Sequence, residues 1–205
     1  MIFAIDLEGV LAPEIWPLLG QRLEIPDLAL TTRDVADFDA LMRRRVEATR
    51  ARGVTLRELQ AMAHAVEPYL GAREFLARLR ALGQVFVISD TFHELADPLI
   101  QKLGGHNLFA NRFETDAEGL LRGFRLRIRG QKERIVSGFH AAGFKVAAMG
   151  DSLNDLSILK SCDFPVLYRP VDALRAHFPQ ATVALNLDEA LAALEAAAAA
   201  LDAGA

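Results

Sequence analysis

The sequence predicts an α/β fold: a Rossmann-like, mainly parallel sheet, with a small helical cap inserted after the first strand and a β-hairpin further along. Three observations carry that reading. Short apolar runs alternate with longer amphipathic ones, the pattern of strands joined by crossover helices. Three of the short runs stop abruptly in polar residues, at Asp6, at Ser89-Asp90 and at Gly150-Asp151. The interval between the first two strands reads almost wholly as helix and is far longer than the dozen or so residues a simple crossover needs.

Ile2–Ile5 opens the chain as a buried strand, and Val85–Ser89, Val146–Met149, Phe164–Tyr168 and Thr182–Leu185 repeat the pattern. Helices are predicted at Pro13–Arg22, Asp34–Arg52, Leu56–His64 and Ala72–Leu82. Residues 12–69 form the cap lobe above the strand ends, and residues 1–11 and 70–205 form the sheet domain. In Asn111–Arg129, alternation around Asp116-Ala117-Glu118-Gly119 predicts the hairpin. The Ala-rich tail, Asp188–Ala205, is preceded by Leu187, which with Leu191, Leu194 and Leu201 makes a helical stripe. A packing helix is its simplest reading, and a contact between two copies of the chain is the alternative.

Composition narrows the function classes. With 52% hydrophobic and 24% charged residues, the 205-residue chain can bury a core and is not disordered. A formal net charge of −4 lacks the basic excess that nucleic-acid binding needs. The longest run free of Asp, Glu, Lys and Arg is Ala176–Leu187. It falls well short of the ~20 apolar residues of a membrane span. Met1–Asp6 shows neither a basic region nor a cleavage site, and the one cysteine, Cys162, cannot form an internal disulfide. A cytoplasmic protein with no nucleic-acid or membrane partner is expected.

The polar strand ends carry the chemistry, because ligands in open α/β sheets sit at the carboxyl ends of strands. Asp6-Leu7-Glu8-Gly9-Val10 follows the first strand, and Gly150-Asp151-Ser152-Leu153-Asn154-Asp155 follows another. A helix cap would account for part of each pattern, but not for Asp151, Asn154 and Asp155 together. Collected in one cleft, Asp6, Glu8, Asp151 and Asp155 repel by roughly 4 kcal/mol per pair at ~4 Å and an effective dielectric near 20. Such a cluster asks for a hard divalent cation, with Mg²⁺ first among them. The five histidines are scattered and no Cys-His spacing exists, which argues against zinc. Ser89, Asp90 and Thr91 bring hydroxyls and amides suited to an anion. There is neither a P-loop nor a Gly-x-Gly-x-x-Gly sequence. On the helix predicted at Asp34–Arg52, Arg45 interrupts an apolar stripe of Phe38, Leu41, Met42 and Thr49. An arginine there can hold a carboxylate with two hydrogen bonds.

Asp-x-Glu-Gly-Val at the start, Ser89 after the second strand, Lys132 later, and Gly-Asp-Ser-x-Asn-Asp at 150–155 together resemble the haloacid-dehalogenase superfamily of phosphatases. Within it the chain is similar to phosphoserine phosphatases. Glu8 in place of a second Asp, Gly9-Val10, Pro13-Glu14-Ile15-Trp16 and Ser89-Asp90-Thr91-Phe92 look closest to the bifunctional phosphoserine phosphatase/homoserine phosphotransferase type. The resemblance implies that Asp6 is a nucleophile forming an aspartyl-phosphate and that Glu8 is the acid and base. It implies that Mg²⁺ is held by the Asp6 carboxylate, the Glu8 backbone carbonyl and Asp151. Ser89, Lys132 and Asn154 would grip phosphoryl oxygens, with Asp90 and Thr91 beside them, and Asp155 would orient Lys132 or the metal-bound water rather than bind the metal directly. Glu14 and Arg45 would take the amino and carboxylate groups of a small phospho-amino acid. The alternatives are a phosphatase of another small metabolite, such as a sugar or polyol phosphate, and a non-catalytic binding protein on the same scaffold.

Overall fold

The computed structural model describes residues 1–128 and 132–202, with side chains to residue 200. Arg129, Gly130, Gln131 and the tail position Leu201 therefore lie outside the described side chains. The chain runs β1 (Ile2–Ile5), α1 (Ile15–Leu23), α2 (Pro26–Ala29), α3 (Phe38–Ala51), α4 (Leu56–Ala63), α5 (Ala72–Leu82) and β2 (Gln84–Phe92). It continues through α6 (His93–Lys102), β3 (Asn107–Thr115), β4 (Leu121–Arg125), α7 (Glu133–Ala141) and β5 (Val146–Gly150). A 3₁₀ turn at Leu153–Asp155 leads into α8 (Leu156–Ser161), β6 (Phe164–Tyr168), α9 (Asp172–Arg175), β7 (Thr182–Ala184) and α10 (Leu187–Asp202).

The seven strands form one sheet in the order β4-β3-β2-β1-β5-β6-β7, parallel throughout except for β4. β1 lies between β2 and β5, so the chain winds outward from it in both directions. That reversal opens a crevice at the carboxyl ends of β1, β2 and β5. Side chains obey the two-residue period of a strand. Phe3 and Ile5, Val85 and Val87, and Ala147 and Met149 enter one apolar cluster; Ile2 and Ala4, Ile88, and Val146 and Ala148 enter the other. Both faces are buried, which is why these strands read as unbroken apolar runs.

The helices between β1 and α5 do not hold a core of their own. Leu19, Leu28, Met42, Val46 and Leu59 belong to the same cluster as Phe3, Val87 and Phe113 in the sheet. Trp16 meets Phe113 edge-on at 5.9 Å, and Phe113 stacks on Phe92 at 3.8 Å. Such aromatic pairs add about 0.5–1.5 kcal/mol each beyond their burial. Arg50 pairs with Asp116 at 2.6 Å, and the Leu56 amide donates to the Gly119 carbonyl, fastening the lobe to the hairpin turn. Where the chain leaves and re-enters the sheet, the Tyr69 amide donates to the Leu11 carbonyl.

Three expectations need correction. α3 starts at Phe38 rather than Asp34, because the Asp37 carboxylate accepts the amides of Asp39 and Ala40 while Asp34 closes its own turn on Thr31. The predicted hairpin is present as β3 and β4, but its first strand begins at Asn107 rather than Asn111, pairing parallel with β2 before it turns antiparallel into β4. The second strand does not stop at Ser89 but runs to Phe92 through a bulge, with a helix starting at His93.

At the opposite end of the sheet, Asp163 accepts hydrogen bonds from Lys145, the Val146 amide and His140. Burial alone would raise its pKa, but these donors hold it at about 2. The folded state therefore sheds this proton more readily than the unfolded one. Its contribution is full above roughly pH 4 and disappears as pH falls toward 2. Urea unfolding midpoints should accordingly be lower for Asp163→Asn than for wild type at pH 7, with the gap closing in strong acid.

Candidate active site

The site grows from three strand ends. β1 delivers Asp6, whose amide donates to the Met149 carbonyl across the sheet. Gly9 then turns the chain with φ +82°, and its missing side chain is what leaves room for the Asp151 carboxylate. Any Cβ there would overlap that carboxylate. β5 ends in Gly150, where an added Cβ would overlap Asp155 in the same way. Two glycines thus let acidic groups from distant parts of the chain close on one another.

β2 contributes through its bulge. Ile88 pairs with Phe109 and Phe92 with Asn111, so Ser89, Asp90 and Thr91 stand opposite Ala110 alone. The excess residues cannot all join the ladder, and a bulge re-aims the side chains it carries. The Asn111 amide satisfies the stranded Asp90 carbonyl at 2.7 Å, and the Asn111 carbonyl oxygen accepts the amides of Arg127 and Ile128. Asn111, fully buried, anchors both the bulge and the segment just after β4 at Arg127 and Ile128.

Lys132 is the hub. Only 1% exposed, its ammonium donates to Asp155 at 2.8 Å and Asp6 at 3.0 Å, with Asp90 at 3.5 Å. Burial would depress the lysine's pKa, yet Asp155, Asp6 and Asp90 hold it well above its ordinary value. One ammonium does not balance the surrounding carboxylates. Burial and the neighbouring Asp155 push Asp6 well up, and the same causes, in the same order, push Asp151 to about 7. Asp155 spends one oxygen on Lys132 and the other on the amides of Asp151 and Ser152, so it orients its neighbours.

Oxygens of Asp6, Asp151 and Asp155 lie within 4.8 Å of one another. Asp151 has no ion-pair partner among the described residues. An all-oxygen donor set with uncompensated negative charge fits a hard divalent cation.

Above this floor lies a cavity of about 100 Å³. That volume suits a small metabolite rather than a drug-sized ligand. Asp6, Glu8, Glu14, Arg45, Ser89, Asp90, Thr91, Lys132, Asp151 and Asn154 all line it, so the predicted site residues converge. Asp155 lies fully buried beneath. The Glu8 carboxylate accepts the amide of Ile15, the first residue of α1, at 2.7 Å. Burial raises its pKa, opposed by that amide and by Arg45. Arg45 is 5% exposed, with its guanidinium 4.7 Å above the Trp16 ring and one nitrogen donating to the Leu30 carbonyl at 2.6 Å. Burial lowers its pKa to about 10, which leaves it charged at neutral pH.

Residues 5–160 match the haloacid dehalogenase-like hydrolase family. The chain belongs to that family. It is 36% identical to a phosphoserine phosphatase of Pseudomonas syringae pv. tomato over 92% of this chain and 79% of that one. It is also 36% identical to the phosphoserine phosphatase ThrH of Pseudomonas aeruginosa, covering 87% of each. A substrate-bound phosphoserine phosphatase structure superposes with a TM-score of 0.76 at 18% identity, over 93% of this chain and 96% of that one. At that identity the likeness speaks for the fold. No described helix of this hydrolase is long and apolar enough to cross a membrane.

Sequence reading missed Asn111 and the loop Thr31-Thr32-Arg33, which walls the cavity. The Thr31-x-x-Asp34 spacing was a signal for the loop, since Asp34 accepts both the amide and the hydroxyl of Thr31. Asn111 left no such trace, because its partners lie on other segments.

Gly9→Ala tests the convergence. A left-handed residue with a Cβ costs about 1–2 kcal/mol, and displacement of Asp151 should lower turnover about 10²-fold. Thermal melting and steady-state rates would check both; undiminished turnover would mean that Asp151 need not sit against Gly9.

Proposed function

We propose that this hydrolase is a Mg²⁺-dependent phosphoserine phosphatase that passes the phosphoryl group through Asp6 to water, and also to homoserine. The observation that carries the reading is a single small cavity. Lys132 and Asp6 form its floor, and the buried Arg45 stands with Glu14 among its walls. A phosphate requires the first pair, and an amino acid's carboxylate and ammonium suit the second. The curated relatives named phosphoserine phosphatase support the same substrate.

The Asp6 carboxylate, the Glu8 carbonyl and Asp151 would hold Mg²⁺, which would supply charge neutralisation at the phosphoryl oxygens. Lys132, Ser89 and Asn154 position the phosphoryl group, where catalysis is chiefly orientation and electrostatic stabilisation. Asp6 attacks phosphorus as the ester P–O bond breaks, giving an aspartyl-phosphate. Glu8 donates its proton to the departing serine oxygen, a role that its raised pKa favours. It then withdraws a proton from the acceptor hydroxyl as that oxygen attacks the phosphoryl group on Asp6. Asp155 keeps Lys132 charged and aimed throughout.

Tethered to the first amide of α1, Glu8 lines the cavity along with Lys132 and Asp6 of the floor and Glu14 and Arg45 of the wall. A base there can serve an amino-acid alcohol resting on that wall as readily as water. With Mg²⁺ present, kcat/KM for phosphoserine should exceed that for a sugar phosphate by at least about tenfold, the worth of one hydrogen bond to a charged group. Chelation should abolish turnover, and added homoserine should yield homoserine phosphate. Preference for the sugar phosphate would favour the alternative substrate class. Phosphate appearing only as the free ion would remove the transfer.

A further inference from the structure

The cavity holds a second arginine that the substrate reading does not use. Arg33 sits on the loop before α3 and lines the cavity together with Arg45. Its loop is pinned at both ends. Arg45 donates to the Leu30 carbonyl at 2.6 Å, and Asp34 accepts the amide and hydroxyl of Thr31. The Arg33 amide in turn donates to the Thr31 hydroxyl. The Arg33 side chain is exposed, and among the described residues it makes no ion pair.

Arg45 by contrast is heavily engaged. One terminal nitrogen is given to Leu30, the other faces the Met42 sulfur at 3.5 Å, and the Trp16 ring covers one face of the planar guanidinium. Its Nε remains a buried donor with no hydrogen-bond partner among the described residues. The two-bond grip expected of Arg45 through its terminal nitrogens would have to surrender the Leu30 bond. Its charge also already answers Glu8 and Glu14. Five carboxylates line the cavity against three basic side chains, of which Lys132 is consumed on the floor. A substrate that brings a carboxylate beside its phosphate needs another cation.

Building on the phosphoserine reading, we infer that Arg33 and the Nε of Arg45 together hold the substrate's α-carboxylate, with Arg33 supplying the charge that Arg45 cannot spare. Arg33 is thus a specificity-determining residue of this hydrolase. It selects for the carboxylate and leaves the phosphoryl chemistry alone.

The test is steady-state kinetics of Arg33→Ala with phosphoserine and with phosphoethanolamine, which keeps the phosphate and the amine but lacks the carboxylate. Because the Arg33 side chain is exposed and makes no ion pair among the described residues, the variant should melt with wild type. Expected is a rise in KM for phosphoserine of roughly tenfold, with kcat and the phosphoethanolamine KM changed less than about twofold. Arg33→Lys should recover part of the loss. Combined with Arg45→Ala, the effects should be non-additive for phosphoserine and additive for phosphoethanolamine. Equal effects on both substrates, or no effect on either, would overturn the clamp. A wild-type enzyme that turns over neither ester would instead remove the substrate reading, and the clamp with it.

Discussion

The site depends on one buried ammonium. Lys132 sits out of reach of water among Asp6, Asp155 and Asp90. Removing a charge from water costs several kcal/mol per ion, recovered only where geometry and further hydrogen bonds are good. Here they are good for Asp155, whose two oxygens are fully used. They are left incomplete for Asp6, which faces the cavity with one bond to Lys132. The incompleteness has a chemical consequence. Under the proposed mechanism this carboxylate must stay available to phosphorus, and the excess of negative charge around it must be answered by something that arrives with the substrate or before it.

The rest of the architecture serves that convergence. Asp6 and Lys132 lie 126 residues apart in sequence, so only the sheet can bring them together. β1 sets Asp6 at the centre of the winding reversal, and β5 sets Asp151 beside it. The bulge in β2 turns Ser89, Asp90 and Thr91 into the same space. Asn111 carries the link outward, satisfying the bulge's carbonyl with one end and the amides of Arg127 and Ile128 with the other. The helices between β1 and α5 share their apolar core with the sheet, which ties the wall bearing Arg45 and Trp16 to the floor. Glu8 ties the two halves again through the first amide of α1.

What was legible in the sequence follows the range of the forces involved. β1, β6 and α5 were readable to the residue, because apolar periodicity over a buried strand or an amphipathic helix is a local signal. The strand-end acids were readable because their clustering after apolar runs is unfavourable without a shared purpose. The start of α3 was misplaced, since Asp34 and Asp37 are equally good caps in one dimension and only the turn at Thr31 decides between them. The bulge in β2 and the part of Asn111 were not legible, as both are answers to pairing with β3. Arg45 was found by its place on the wheel. That its guanidinium is spent on Leu30, Met42 and Trp16 required the folded wall.

The central claim is that Asp6 itself takes the phosphoryl group, and it is open to direct chemical capture. Enzyme mixed with isotopically labelled phosphoserine and Mg²⁺, quenched in acid within one turnover and digested, should carry the label on the peptide containing Asp6, as a bond cleaved by hydroxylamine. Label on any other residue, or substrate consumed at full rate with no labelled protein and with Asp6 replaced by Asn, would contradict the account.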